Sequence, residues 1–153
     1  RKRMMRMDFR YLIPEKIFNE LQKHLDDADK KYLAGWLFAD RRENFAIVSG
    51  YEITSTDAKS HDKPKSWMRL KKDKIHQMRK YKEEDGKEIV WQFHLHPNGK
   101  KELHEMDLKI LNYLSTGVMI ILVKGSIVGW YYDKRDTKKP TIERMDFEVM
   151  AEM

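Results

Sequence analysis

The sequence predicts an α+β domain in which a central mixed β-sheet is flanked by helices. Three observations carry this expectation. Helical and strand periodicities alternate along the chain in the order helix, strand, strand, helix, strand, helix, strand, strand, which suits a sheet with helices against its faces or edges. The 153 residues allow one compact domain and little more. Leu, Ile, Val and Phe total 35, just above the fifth of the chain below which charged sequences fail to build a core.

Residues 1–11 read as a basic tail and residues 12–153 as the domain. Ile13-Pro14 opens the first helical pattern, with Ile17, Phe18, Leu21 and Leu25 on one face; proline suits a first helical turn because its missing N–H is not needed there. Lys31–Ala39 and Asn44–Thr54 read as strands around the polar turn 40–43, and Thr56–Ser66 as a polar loop. Trp67 to Lys82 forms an amphipathic pattern with Trp67, Leu70, Met78 and Tyr81 on one side, broken by Asp85-Gly86. Lys87–His96 is a strand stopped by Pro97, His104–Leu114 a helix, and Val118–Val123 with Ile127–Tyr132 a closing hairpin. Ile142–Met150 suits either a strand or a short helix. The tryptophans fall at apolar positions on separate elements, where packing is the expected role.

Composition narrows the function classes. There is no cysteine, so disulfides, thiolate metal sites and cysteine nucleophiles are excluded together. The longest fully apolar run is Val118–Val123, far short of the roughly 20 residues that cross a bilayer. The expected setting is cytoplasmic, without a membrane. The net charge of +6 is concentrated: residues 1–6 and 59–82 are strongly basic, and the remainder is acidic. The 59–82 segment is either a solvated helix face or a site for an acidic partner; nucleic acid is not expected. Nucleotide-binding glycine loops and G-x-S-x-G are absent from the sequence.

One constellation carries chemistry. On the strand ending at Pro97, His94 and His96 are two residues apart and therefore point to the same face. In the following helix Leu103, Ile110, Leu111 and Leu114 lie at −4, +3, +4 and +7 from Asp107, which turns the aspartate inward. An inward carboxylate must be paired, hydrogen-bonded or metal-bound, because burying it alone is too costly. Two imidazoles and a carboxylate suit Zn2+ with an open fourth position. The same spacing also suits a solvated histidine pair and an aspartate that merely caps its helix.

His94-Leu95-His96-Pro97, with Asp107 eleven residues after the second histidine, resembles the H-x-H-P-x(n)-S-x-x-D signature of the JAMM/MPN+ family of zinc-dependent peptidases and isopeptidases. Leu33-Ala34-Gly35-Trp36-Leu37 falls where that family has its E-x-x-G-x-L strand, and the likeness runs from about Leu12 to Asp133. The resemblance implies a cytidine-deaminase-like JAB/MPN fold. It also implies His94, His96 and Asp107 as zinc ligands, and a ubiquitin-like or small-modifier conjugate, or another protein, as substrate. Two family positions differ. Tyr32 stands where the general-base glutamate belongs, and His104 where the oxyanion-stabilising serine belongs. Glu102 and Glu105 flank the motif loop as substitute bases, and His104 is a possible fourth ligand that would close the site. The expectation is a zinc-dependent, deubiquitinase-like hydrolase. Its alternative is a catalytically inactive MPN-type scaffold or interaction module that still binds zinc.

Overall fold

A computed structural model describes residues 9–26, 33–55, 67–112, 115–135 and 139–151. The elements are β1 (Arg10–Pro14), α1 (Glu15–Asp26), β2 (Ala34–Arg41), β3 (Phe45–Ser55), α2 (Trp67–Glu83), β4 (Ile89–Leu95), α3 (Glu105–Asn112), β5 (Thr116–Val123), β6 (Ser126–Asp133) and β7 (Thr141–Met150). The strands hydrogen-bond in the order β1-β3-β2-β4-β5-β6-β7, and the sheet closes into a barrel.

Closure overturns the expected open sheet flanked by helices, and with it the JAB/MPN fold class. The cause lies at the two ends of the described chain. β1 is parallel to β3 on one side (Tyr11 opposite Ala46) and parallel to β7 on the other (Tyr11 opposite Phe147). A strand satisfied on both sides leaves the sheet no edge. Arg10 strengthens the closing seam through a bidentate pair with Glu148, both contacts 2.8 Å. Beside Arg10, the Glu148 carboxyl is held below its ordinary range, first by these hydrogen bonds, with charge attraction adding to them.

Alternation then divides the strands into an inner and an outer face. The inner face carries Ile13, Leu37, Ala46, Val48, Trp91, Phe93, Leu95, Ile120, Leu122, Ile127 and Met145, which form the main core with Leu21 and Leu25 of α1. Gln22 on α1 holds that helix to the β5–β6 hairpin, donating to the Val123 carbonyl at 2.9 Å and accepting from Gly125 N–H at 2.7 Å. Tyr51 on β3 does the same from the other side: its hydroxyl donates to Glu20 at 3.0 Å and lies 3.3 Å from His24 Nε2. His24 is thus tied into the fold. Gly35 is dictated by crowding, since a Cβ there would lie 2.1 Å from the Glu52 carbonyl oxygen and 2.9 Å from the Phe93 ring.

Two smaller cores lie on the outer face. Trp36 and Phe38 of β2, Val90 of β4 and Tyr81 of α2 form one, with Met78 packed against it. Leu111 of α3 forms the other with Met119, Ile121, Val123, Val128 and Tyr132. Helices α2 and α3 therefore cover separate outer patches, and the C-terminal end of β4 lies between them.

Candidate metal centre

The outer face of β4 carries Val90, Gln92, His94 and, one residue past the strand, His96. Val90 goes under α2, and the histidines fall toward the start of α3. Their side chains are 13% and 11% exposed, and that of Asp107 only 4%. His94 Nε2 is 2.8 Å from Asp107 Oδ1, His96 Nε2 is 3.0 Å from Oδ2, and the two Nε2 atoms are 3.0 Å apart. Among the described residues these three make up the only group of His, Asp or Glu whose ligand atoms converge closely enough for a metal ion.

Local structure explains each placement. His96 closes the turn that follows β4: Gly99 N–H donates to its carbonyl at 3.1 Å, and Gly99 takes φ 77°, a left-handed conformation that glycine adopts without steric cost. The turn returns the Lys100 carbonyl to His96 Nδ1 at 2.9 Å. A carbonyl only accepts, so Nδ1 carries the hydrogen and the neutral ring must present its lone pair at Nε2, toward Asp107.

Asp107 is fixed by the start of its helix. The Leu108 N–H to His104 carbonyl bond, 3.1 Å, is the first turn of α3, which makes His104 the capping residue and Asp107 the third residue of the helix. Asp107 Oδ2 reaches back to accept the His104 backbone N–H at 2.8 Å. This is one half of a capping box, and it uses the same oxygen that faces His96.

The donor set fits a divalent cation. Without one, His96 must be an imidazolium to donate to Oδ2 while Nδ1–H serves Lys100, and His94 must donate to Oδ1. Both Nε2 hydrogens would then face each other across 3.0 Å. A cation takes the lone pairs of all three groups at once. Tetrahedral zinc, with bonds of roughly 2.0–2.1 Å, separates its ligand atoms by roughly 3.3 Å, a few tenths of an ångström more than the distances here. Burial alone would raise the Asp107 carboxyl pKa, yet hydrogen bonds from the two imidazoles, the His94 charge and the His104 amide hold it well below the usual carboxylate range. Burial likewise opposes protonation of His96, and the bonds to Asp107 and Lys100 with the charges of Asp107 and Glu102 outweigh it, raising its pKa.

The other sequence-derived positions divide differently. His104 has an exposed side chain and is not in the converging group; what it supplies is its main-chain N–H. Glu102 and Glu105 are exposed, and Glu102 acts on His96 through its charge. Tyr32 lies outside the described residues, as does 59–66 of the basic segment. Sequence reading missed the Lys100 carbonyl, since a main-chain acceptor leaves no mark on residue identity. It also missed Trp130, whose indole N–H donates to the Lys101 carbonyl at 2.7 Å.

No protein-family model and no curated protein matches the chain. Among solved structures it is similar to the solution structure of protein DSY2949 from Desulfitobacterium hafniense, with a TM-score of 0.56 and 13% identity over 94% of each chain. At that identity the likeness speaks for the fold alone.

Among the described residues no helix is long and apolar enough to cross a membrane.

Proposed function

We propose that the chain is a zinc-dependent hydrolase of peptide or isopeptide bonds, acting on ubiquitin-like or other small-modifier conjugates in the cytoplasm. The observation that carries the metal part is the convergence of His94 Nε2, His96 Nε2 and one Asp107 carboxylate at 2.8–3.0 Å, with the His96 tautomer set by Lys100. Three protein ligands are the number that leaves a fourth position for water or substrate. The substrate class follows from the resemblance of His94-Leu95-His96-Pro97 and Asp107 to the JAMM signature.

When bound, zinc polarises a carbonyl and brings the pKa of water down to about 7. The chain's own residues do the rest. His94, His96 and Asp107 hold the ion against the outer wall of β4. The His104 amide fixes Asp107, the Lys100 carbonyl fixes His96, and Glu102 is the acid whose charge reaches the site.

A second reading has its own support. Tyr32 and His104 occupy the positions where the resemblance expects a base and an oxyanion donor, and a positioned base contributes 10²–10⁴-fold. In this reading the zinc-loaded domain is an interaction module, and the basic face of α2 is where an acidic partner docks.

Metal analysis, followed by turnover of a ubiquitin-like C-terminal conjugate with and without a chelator, separates the readings. The hydrolase predicts one zinc per chain, chelator-sensitive cleavage and faster cleavage in Tyr32→Glu. Stoichiometric zinc with no cleavage by either protein overturns the hydrolase in favour of the module. Absence of zinc uptake overturns both.

A further inference from the structure

We propose that Trp130, on β6, is a positioning residue for the metal centre: its indole N–H pins the loop whose carbonyl sets the His96 tautomer. This inference rests on the metal reading above and assigns it a further residue, far from the ligands in sequence.

The loop between β4 and α3 is exposed over 97–100 and crosses open surface. The Asn98 side chain accepts from Lys100 N–H at 2.9 Å and shapes the turn. The Lys100 carbonyl accepts from His96 Nδ1–H at 2.9 Å, and the Lys101 carbonyl accepts from Trp130 Nε1–H at 2.7 Å. These two carbonyls belong to successive peptide planes that share the Lys101 Cα. Anchoring the second plane therefore leaves the first free only through the φ and ψ of one residue. A loop with exposed main chain otherwise opens readily, and each opening would release His96 to turn Nδ1 toward Asp107.

Trp130 is built to serve as that anchor. It lies opposite Met119 in the β5–β6 ladder and is half-buried against the outer core under α3. Arg144 of β7 lies 5.9 Å above its ring and is itself tied to Asp146 at 2.8 Å. The ring is thus held by the barrel wall, and its single donor is spent on the loop. A tryptophan needed for packing alone would not require that aim, and phenylalanine would fill most of the same space. Residues that orient a metal-binding histidine typically contribute 10–100-fold in affinity; acting one bond further out, Trp130 is expected to contribute about threefold to tenfold.

The test compares Trp130→Phe with wild type by competition for Zn2+ against a chromophoric chelator and by imidazole ¹⁵N spectra of His96. Tyr132→Phe, on the same strand as Trp130, loses its bond to Asn112 of α3 and is the control for general weakening of β6. The expected result is a threefold to tenfold loss of zinc affinity in Trp130→Phe alone. Its metal-free His96 spectrum, recorded at a pH high enough to make the ring neutral, should also show a mixture of tautomers where wild type shows one. Unchanged zinc affinity and an unchanged His96 spectrum in a folded Trp130→Phe protein overturn the proposal, whatever happens to thermal stability. Exchange of the Trp130 indole hydrogen in the unmutated protein gives a readout free of any folding defect. It must slow when zinc is added, because coupling between sites is reciprocal, and equal rates with and without zinc overturn the proposal. If wild type takes up no zinc, the metal reading fails, and the metal-free His96 spectra still decide whether Trp130 sets the tautomer.

Discussion

Replacing Asp107 by alanine and by asparagine separates its two roles, ligand and helix cap. The side chain is 4% exposed and meets two imidazoles and one amide N–H within 3.0 Å. Removing one partner of a buried ion pair costs 3–5 kcal/mol when the survivor stays charged. Here the imidazoles are slightly exposed, 13% and 11% of their side chains, so water compensates part of the loss, which favours the low end. Alanine also leaves the His104 N–H without its acceptor, a loss of the size of a helix cap, about 1 kcal/mol. Together these give about 3–4 kcal/mol for Asp107→Ala in the metal-free protein. Asparagine keeps an oxygen for His104 N–H and offers its NH2 to a neutral imidazole, so Asp107→Asn should cost about 1–2 kcal/mol. Urea unfolding in the presence of a chelator, followed by tryptophan fluorescence, reads both as shifts in midpoint at constant slope. Zinc titration should show both variants weakened by at least about 100-fold, beyond the loss seen when only an orienting partner goes. Equal destabilisation by the two substitutions would refute the cap. Full zinc affinity in Asp107→Asn would refute the ligand assignment and with it the metal centre.

Zinc at a hundred times its dissociation constant should stabilise the wild-type protein by about 2.7 kcal/mol, a rise of about 5–10 °C in Tm; no shift under saturating zinc removes the site. Gly35→Ala drives a Cβ into the main chain of β3, with the Glu52 oxygen 2.1 Å away, and should cost at least about 3 kcal/mol; near-wild-type unfolding would contradict the β2–β3 register. The Tyr81 hydroxyl is pushed up to about 12 by burial, then by its bond to Glu52 and the charges of Glu52 and Asp85. A raised pKa gives stability that is complete below the unfolded value near 10 and lost as pH climbs toward 12, roughly 1.4 kcal/mol per pH unit in that window. Tyr81→Phe should therefore flatten the fall in stability between pH 9.5 and 11.5, and an unaltered profile would refute the assignment.

The β4 alternation and the spacing from His96 to Asp107 placed all three converging side chains, because a strand period and a helix period each fix direction without tertiary knowledge. The positions of Ile17, Phe18, Leu21 and Leu25 marked the face of α1 that enters the core for the same reason. The architecture was not legible, and two short segments account for that. Arg10–Pro14 is a five-residue strand whose proline also suits a helix start, and the outer residues of Thr141–Met150 are charged on a surface strand that packs little. Neither has a strong period of its own. Their identity as strands exists only through pairing with each other and with β3, a long-range fact that no local pattern carries. Missing them turns a closed barrel into an open sheet. His104 shows the opposite failure. Its side chain reads as a fourth ligand, yet it lies outside the converging group, and what Asp107 takes from this residue is a peptide N–H, which any residue but proline would provide.

The closed barrel also explains why the site is where it is. Among the described residues the interior is filled by apolar side chains from all seven strands and α1. Reactive groups must then lie on the outer wall, where alternation puts every second residue. Most of that wall near β4 is taken: α2 covers Trp36, Phe38 and Val90, and α3 covers Met119, Ile121 and Val123. The end of β4 escapes both, since α2 has finished before β4 begins and α3 starts only after the loop that follows it. His94 and His96 fall in this gap, close enough to the first turn of α3 for Asp107 to reach them. The ligands are packed against that wall, with 13% and 11% of the two histidine side chains and 4% of that of Asp107 left exposed. An ion held there would be largely desolvated by β4 and the first turn of α3, and a fourth ligand would have to enter on the side where the two histidines keep their small exposure.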